Sequence, residues 1–276
     1  MNLVLQGAPI GRDDLSRLAA LTNANHIVSL GDTAVRLTGV HEGAPIEPFC
    51  SQHALDFAWV PDERRLADVR LLALDMDSTL VAVESIDEMG GLLGIKDRIA
   101  TVTAQAMRGE IDYAESLRRR VALLAGLEET ALGRILEERM PLSPGAGQLI
   151  RRCRENGIRT LLVSGGFTVF AEGLKARLGI DETLSNTLEI ANGRLTGRVL
   201  GDIVDGQGKA RKFLDAMRAL GATAAQTVAV GDGANDVPML AEAGVSVAWR
   251  AKAVVRERAT HALDYAGLDG VLNLFL

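Results

Sequence analysis

Leu71-Leu72-Ala73-Leu74 runs straight into Asp75-Met76-Asp77-Ser78-Thr79. An apolar stretch with the length of a buried strand thus stops at two carboxylates and two hydroxyls. An unpaired carboxylate in a poorly solvated place costs several kcal/mol or takes up a proton, so something cationic must meet this pair. A divalent metal together with a phosphate group, at the carboxyl end of a parallel strand, answers that need most economically. Open α/β sheets bind their ligands at that edge.

The rest of the chain has the rhythm such a sheet requires. From Val69 onward come the apolar runs Val69–Leu74, Thr160–Val163, Thr227–Val230 and Val245–Ala248, the first three followed at once by Asp, Ser or Gly, with helical patterns between them. That alternation predicts an α/β fold with a parallel sheet covered by helices on both faces. Residues from about 84 to 140 show helical periodicity without a convincing strand, which predicts a helical cap inserted over the carboxyl edge of the sheet. Ser143-Pro144 predicts a helix start that Gly157 ends, and a second helix is expected from Thr168 to Leu178, stopping at Gly179. Asn192-Gly193 between two short extended segments signals a hairpin.

Residues 1–68 differ in character, with short apolar runs at Leu3–Leu5, Ala34–Leu37 and Phe57–Val60, a helical pattern near Asp14–Leu21, and dense turn residues. This predicts a small α+β module ahead of a catalytic unit spanning 69–276, with Pro61-Asp62-Glu63-Arg64-Arg65 as the connector. His26, His41 and His53 share no metal-ligand spacing with cysteines and read as ordinary histidines. The 276 residues are 47% hydrophobic and 24% charged, enough for a sizeable core, and carry a net charge of −6. That balance argues against nucleic acid or an anionic membrane as partner. Two cysteines, Cys50 and Cys153, provide no disulfide framework; with no signal peptide pattern and no apolar run of spanning length, a soluble cytoplasmic protein is expected.

Four stretches carry chemistry. Asp75, held against a metal, is a competent nucleophile toward phosphorus, and Asp77 can protonate a leaving oxygen and later activate water. Ser164-Gly165-Gly166-Phe167 offers a hydroxyl and approachable backbone N–H groups to a phosphate, although a tight turn would use the same residues. Lys209 falls near the start of a helix running to Leu220, where the helix dipole disfavours a cation. A functional reason competes there with a merely basic helix start, because Arg211 and Lys212 follow. Gly231-Asp232-Gly233-Ala234-Asn235-Asp236 ends the next strand; with Asp75 and Asp77, Asp232 supplies the hard oxygen ligands that Mg²⁺ prefers.

Together these stretches resemble the four motifs of the haloacid dehalogenase superfamily. The resemblance implies a Rossmann-like core, Mg²⁺ as cofactor and an aspartyl-phosphate intermediate. It assigns Asp75 as nucleophile, Asp77 as general acid and base, Ser164, Gly165, Lys209 and Asn235 as phosphate binders, Asp75, Asp77 and Asp232 as metal ligands, and Asp236 in support.

Substrate choice must come from the cap. Leu117, Val121 and Leu124 form an apolar stripe that Arg120 flanks on the side of Tyr113, while Arg118 and Arg119 turn away. Arg120 can hold a carboxylate bidentately and Glu84 an ammonium, together the two ends of an amino acid; an internal Arg–Glu pair would use the same residues. Glu84, Met107 and Ser116-Leu117-Arg118-Arg119-Arg120-Val121 are similar to the phosphoserine phosphatase branch, in which some members place Phe at Tyr113. That likeness implies hydrolysis of O-phosphoserine in serine biosynthesis, with room for serine or another amino acid as effector at the N-terminal module and for a homodimer. A phosphotransferase that passes the phosphoryl group to an alcohol such as homoserine would share the core residues. A receiver storing a stable phosphoaspartate would not need Asp77.

Overall fold

The computed structural model describes residues 1–276. The N-terminal module comprises β1 (Asn2–Gln6), α1 (Arg12–Thr22), β2 (His26–Ser29), β3 (Ala34–Thr38), α2 (Glu47–Gln52) and β4 (Asp56–Val60). Its strands form an antiparallel sheet in the order β2-β3-β1-β4. Alternation decides what each face meets. Leu3, Leu5 and Leu37 pack under the module's own helices with Leu18 and Cys50. Val4, Ala58 and Val60 face the other way and join the main core of the molecule. Strand β2 is exposed at all four positions, which is why no apolar run announced it.

The larger unit follows the order β5 (Leu71–Leu74), α3 (Ser85–Leu92), α4 (Lys96–Met107), α5 (Tyr113–Ala122), α6 (Glu129–Glu138), α7 (Ala146–Glu155), β6 (Arg159–Phe167), α8 (Thr168–Leu178), β7 (Glu182–Ala191) and β8 (Arg194–Leu200). It continues with α9 (Gly206–Ala219), β9 (Thr227–Gly231), α10 (Val237–Leu240), β10 (Val245–Trp249), α11 (Ala253–Arg256) and β11 (His261–Leu263). The seven-stranded sheet has the order β11-β10-β9-β5-β6-β7-β8. Every pair is parallel except β7 with β8, the hairpin signalled by Asn192-Gly193.

Burial on both faces explains the continuous apolar strands. Leu71 and Ala73 pack with Phe213 of α9, Met239 and Leu240 of α10 and Val255 of α11. Leu72 and Leu74 face Leu149 and Ile150 of α7 and Phe170 of α8. Strand β5 lies centrally between β6 and β9, so the loops after all three converge beside Asp75. Helices α3 to α6 occupy residues 85–138, the stretch in which periodicity predicted a helical cap.

Two local expectations need correction. The helix after the cap begins at Ala146, because Gly145 adopts φ 78° as its N-cap and Pro144 lies in the turn before it. The strand whose apolar run stops at Val163 does not end in a tight turn at Ser164–Gly166. Strand β6 continues to Phe167, and its register against β7 breaks between Val163 and Phe167, so the segment bulges out of the sheet.

Candidate active site

The turn after β5 is shaped by its own backbone. Leu80 N–H donates to Asp75 O at 3.3 Å, Val81 N–H to Met76 O at 3.0 Å, and Ser78 N–H to Val83 O at 3.1 Å. Ser78 is held at φ 56°, a left-handed conformation that a non-glycine residue keeps only when its surroundings fix it. Its hydroxyl, donating to Glu84 Oε1 at 2.6 Å, adds a further tie.

Asp75 sits at the strand end, buried, and accepts from Lys209 Nζ at 2.7 Å on Oδ1. The same ammonium donates to Asp236 Oδ1, also at 2.7 Å. Lys209 and Asp236 are both completely buried. Burial works against the charge on Lys209, but Asp236 and Asp75 outweigh it and raise the pKa, so the lysine stays cationic. Asp75 is pushed well above the usual carboxylate range by burial and by the neighbouring Asp236, with Lys209 opposing. The cation that seemed misplaced at a helix start is thus held by two carboxylates from the loops after β5 and β9.

Asp77 faces elsewhere. Its Oδ1 accepts from Ser85 N–H at 3.1 Å and its Oδ2 from Ser85 Oγ at 2.9 Å. Burial, aided by Glu84, raises its pKa to about 7 against the ordinary 3.8. Carboxylate oxygens of Asp75, Asp232 and Asp236 all lie within 4.8 Å of one another. The expected trio was Asp75, Asp77 and Asp232; the carboxylate of Asp77 is occupied by Ser85 and stands outside the cluster, and Asp236 takes the third place. Asp236 itself is spent on Lys209 and on the N–H groups of Asp232 and Gly233, at 3.2 and 3.0 Å. Asp232 Oδ1 accepts from Thr79 Oγ1 at 2.9 Å, and burial with Asp236 raises its pKa to about 6. Asp75 and Asp232 therefore each retain one oxygen without a protein partner, and those hard donors suit Mg²⁺.

Ser164 Oγ accepts from Gly166 N–H at 2.8 Å, which leaves its own proton to donate. A Cβ on Gly166 would meet Asp77 Oδ2 at 2.8 Å and Met76 Cε at 2.6 Å, so a side chain there would displace the ends of both residues. Asp75, Asp77, Ser164, Gly165, Asp232 and Asn235 line a cavity of about 710 Å³ that Glu84, Met107 and Arg120 complete from the cap. Lys209 lies beneath its floor. Glu84 bonds Ser78, whereas Arg120 reaches Ser116 O through Nε at 3.4 Å and has no carboxylate partner, so the two form no internal pair. Met107 is 69% exposed and stands at the rim.

Residues that the sequence did not single out complete the site: Ser85 and Thr79, which orient Asp77 and Asp232, and Lys252 and Gln207 at the cavity wall. Tyr113, noted only for its aromatic identity, donates its hydroxyl to Gly165 O at 3.2 Å, and burial holds its pKa at about 12.

The raised carboxylates have a consequence for folding. Between the unfolded pKa near 3.8 and the folded values of about 6 and 7, the metal-free folded protein binds more protons than the unfolded chain. Its stability therefore falls as pH rises through that window. In a chelator, Asp77→Asn gains stability relative to the parent between pH 4 and pH 7.5, by on the order of a few kcal/mol, and the gain levels off above that. Denaturant midpoints measured across the window check this. A constant difference at all pH values would show that Asp77 is ionised throughout.

The haloacid dehalogenase-like hydrolase family matches residues 72–241. A domain of unknown function (DUF4072) matches residues 3–44. A phosphoserine phosphatase of Albidiferax ferrireducens is 51% identical over 216 residues, covering 76% of this chain and 91% of that protein. Among solved structures, a probable phosphoserine phosphatase from Vibrio cholerae superposes with a TM-score of 0.87 at 36% identity, covering 99% of this chain and 85% of the other. A phospho-aspartyl intermediate analogue of phosphoserine phosphatase gives 0.70 at 33% identity over 75% of this chain and 99% of the other. No helix is long and apolar enough to cross a membrane.

Proposed function

The chain belongs to the haloacid dehalogenase-like hydrolases, and from that premise we propose that it hydrolyses O-phosphoserine to serine and phosphate through an aspartyl-phosphate, as a Mg²⁺-dependent step of serine formation. The observation that carries this reading is the pair of unlike carboxylates at one cavity. Asp75 is bonded to Lys209, whereas Asp77, with a pKa near 7, is bonded to Ser85. Held by different partners, the Lys209 ammonium for one and Ser85 for the other, the two divide the work of nucleophile and acid.

An oxygen of Asp75 attacks phosphorus as the bond to the serine oxygen breaks, and that oxygen takes the proton of Asp77. Asp77, now a carboxylate, removes a proton from water, which attacks phosphorus and releases phosphate from Asp75. Lys209 and the Ser164 hydroxyl, with nearby N–H groups, hold charge on the transferring group. Mg²⁺ held by Asp75 and Asp232 would neutralise the clustered carboxylates and polarise a phosphoryl oxygen. On the cap wall the unpaired Arg120 takes the substrate carboxylate and Glu84 the ammonium.

A Mg²⁺-dependent phosphate-release screen over phosphoserine, phosphothreonine and sugar phosphates tests the reading, with phosphoserine expected to lead. Preference for a sugar phosphate would defeat it, and appearance of a phosphorylated alcohol from added homoserine would mark a transferase instead. Arg120→Ala should raise KM for phosphoserine by about 10- to 100-fold through loss of a charged hydrogen-bonded pair, with a smaller change in kcat. An unchanged KM would remove Arg120 from the substrate site.

A further inference from the structure

Where β6 bulges, the three residues Ser164, Gly165 and Gly166 stand against the single residue Ser185 of β7, and the next paired residue is Asn186. The bulge strips this segment of ladder bonds, so something else must hold its peptide groups. Asn186 Nδ2 donates to Gly165 O at 2.8 Å. The other end of the same amide accepts from Val204 N–H at 2.8 Å. Val204 precedes Asp205, the N-cap of α9, whose Oδ1 accepts from Gly208 N–H at 2.7 Å beside Lys209.

Asn186 is 1% exposed and is not among the residues that line the cavity. It shares a face of β7 with Leu184 and Leu188, where period two calls for an apolar residue. A buried amide in such a slot costs desolvation unless both of its ends are bonded, and here they are. Its two partners are the segment that carries Ser164 and the residue that leads into the helix of Lys209.

We propose that Asn186 is a positioning residue that sets the Ser164–Gly166 segment and the entry to the Lys209 helix in one register, ready for a phosphoryl group. The carbonyl of Gly165 belongs to the peptide whose N–H, on Gly166, donates to Ser164 Oγ. Fixing that plane fixes the acceptor bond of Ser164 and leaves its proton aimed outward. Tyr113 of the cap donates to the same carbonyl at 3.2 Å, and a Cβ on Gly165 would overlap its hydroxyl. The carbonyl therefore has one donor from the sheet and one from the cap.

This assignment rests on the phosphoryl-transfer reading of the site, and the test separates the two. Full-length protein with Mg²⁺ is assayed for phosphoserine turnover, and its affinity for inorganic phosphate is measured by calorimetry. The second readout reports on the segment whichever monoester the enzyme prefers. Asn186→Leu is expected to lower kcat by about 10- to 100-fold, the usual effect of removing a group that orients a ligand-binding residue. It should weaken phosphate binding in parallel. Tyr113→Phe alone should cost only a few-fold, and the double variant should lose more than the product of the two, because each donor compensates for the other at one carbonyl. Should Asn186→Leu fail to fold, Asn186→Ser gives the same readings. Lower thermal stability with kcat and phosphate affinity within about twofold of the parent would reduce Asn186 to a structural residue and overturn the proposal. Strict multiplication of the two single losses would do the same. Failure of the parent to act on phosphoserine, with tight phosphate binding that Asn186→Leu abolishes, would overturn the substrate reading and leave this assignment standing.

Discussion

Asp75→Asn abolishes turnover, with kcat falling by on the order of 10⁴-fold or more, as expected when the group that forms the covalent intermediate is lost. The amide has nearly the volume of the carboxylate, so the strand end and the cavity keep their shape. What disappears is an oxygen nucleophile: an amide oxygen does not displace an alkoxide from phosphorus. Folding should survive, because Lys209 keeps Asp236 as a partner at 2.7 Å. Metal-free stability should not fall, since burial and Asp236 already disfavour the charge on Asp75. Phosphate release, acid-quench trapping of the aspartyl-phosphate and thermal melts in a chelator check the three parts. Retention of more than about one hundredth of the parent kcat in the folded variant would move the nucleophile elsewhere.

This prediction rests on residues the sequence already displayed. Leu71–Leu74 was legible as a buried strand because both faces of β5 meet helices, which leaves no polar position in the run. The charge that ends it was legible for the same reason, as was the approach of Ser164 and Asp232 once their strand ends were placed beside that of Asp75, with Lys209 arriving from a helix start. The helical cap showed itself through periodicity. Elements that escaped have other sources of order. Strand β2 exposes every side chain, and its pairing with β3 rests on backbone bonds that carry no residue signature. Gly145 took the helix start from Ser143-Pro144 through a left-handed turn, a choice set by the chain around it.

Side-chain direction was the least legible level. Asp77 and Asp236 are both acidic residues in motif loops, and nothing in their spacing says that the first turns to Ser85 while the second folds back onto the N–H groups of Asp232 and Gly233. Asn186 reads as one more polar residue in a hairpin arm until its two bonds are seen. The short N-terminal strands were visible, but the packing of Val4, Ala58 and Val60 into the main core follows from tertiary structure alone.

Lys209→Met tests the ion cluster as a unit. Lys209 is the one cation bonded to Asp75 and Asp236, and methionine matches its stem while removing the charge. Breaking a buried ionic set by deleting one member leaves the others uncompensated, at a cost of about 3–5 kcal/mol. In a protein of this size that corresponds to a melting temperature lower by roughly 10 °C in a chelator. Without the lysine that opposed burial and Asp236, Asp75 is driven further toward its neutral form, and a protonated Asp75 is no nucleophile, so kcat should fall by about 10³-fold or more, with lost stabilisation of phosphoryl charge included. The double variant Lys209→Met, Asp236→Asn separates the two effects. Removing the second charge should restore most of the metal-free stability, because the remaining carboxylate loses the repulsive neighbour that raised its pKa. Activity should stay low, because neither change returns a cation to the phosphoryl group. Equal instability of the single and double variants would show that the lysine stabilises the fold through packing rather than charge, and recovery of activity in the double variant would remove Lys209 from the chemistry.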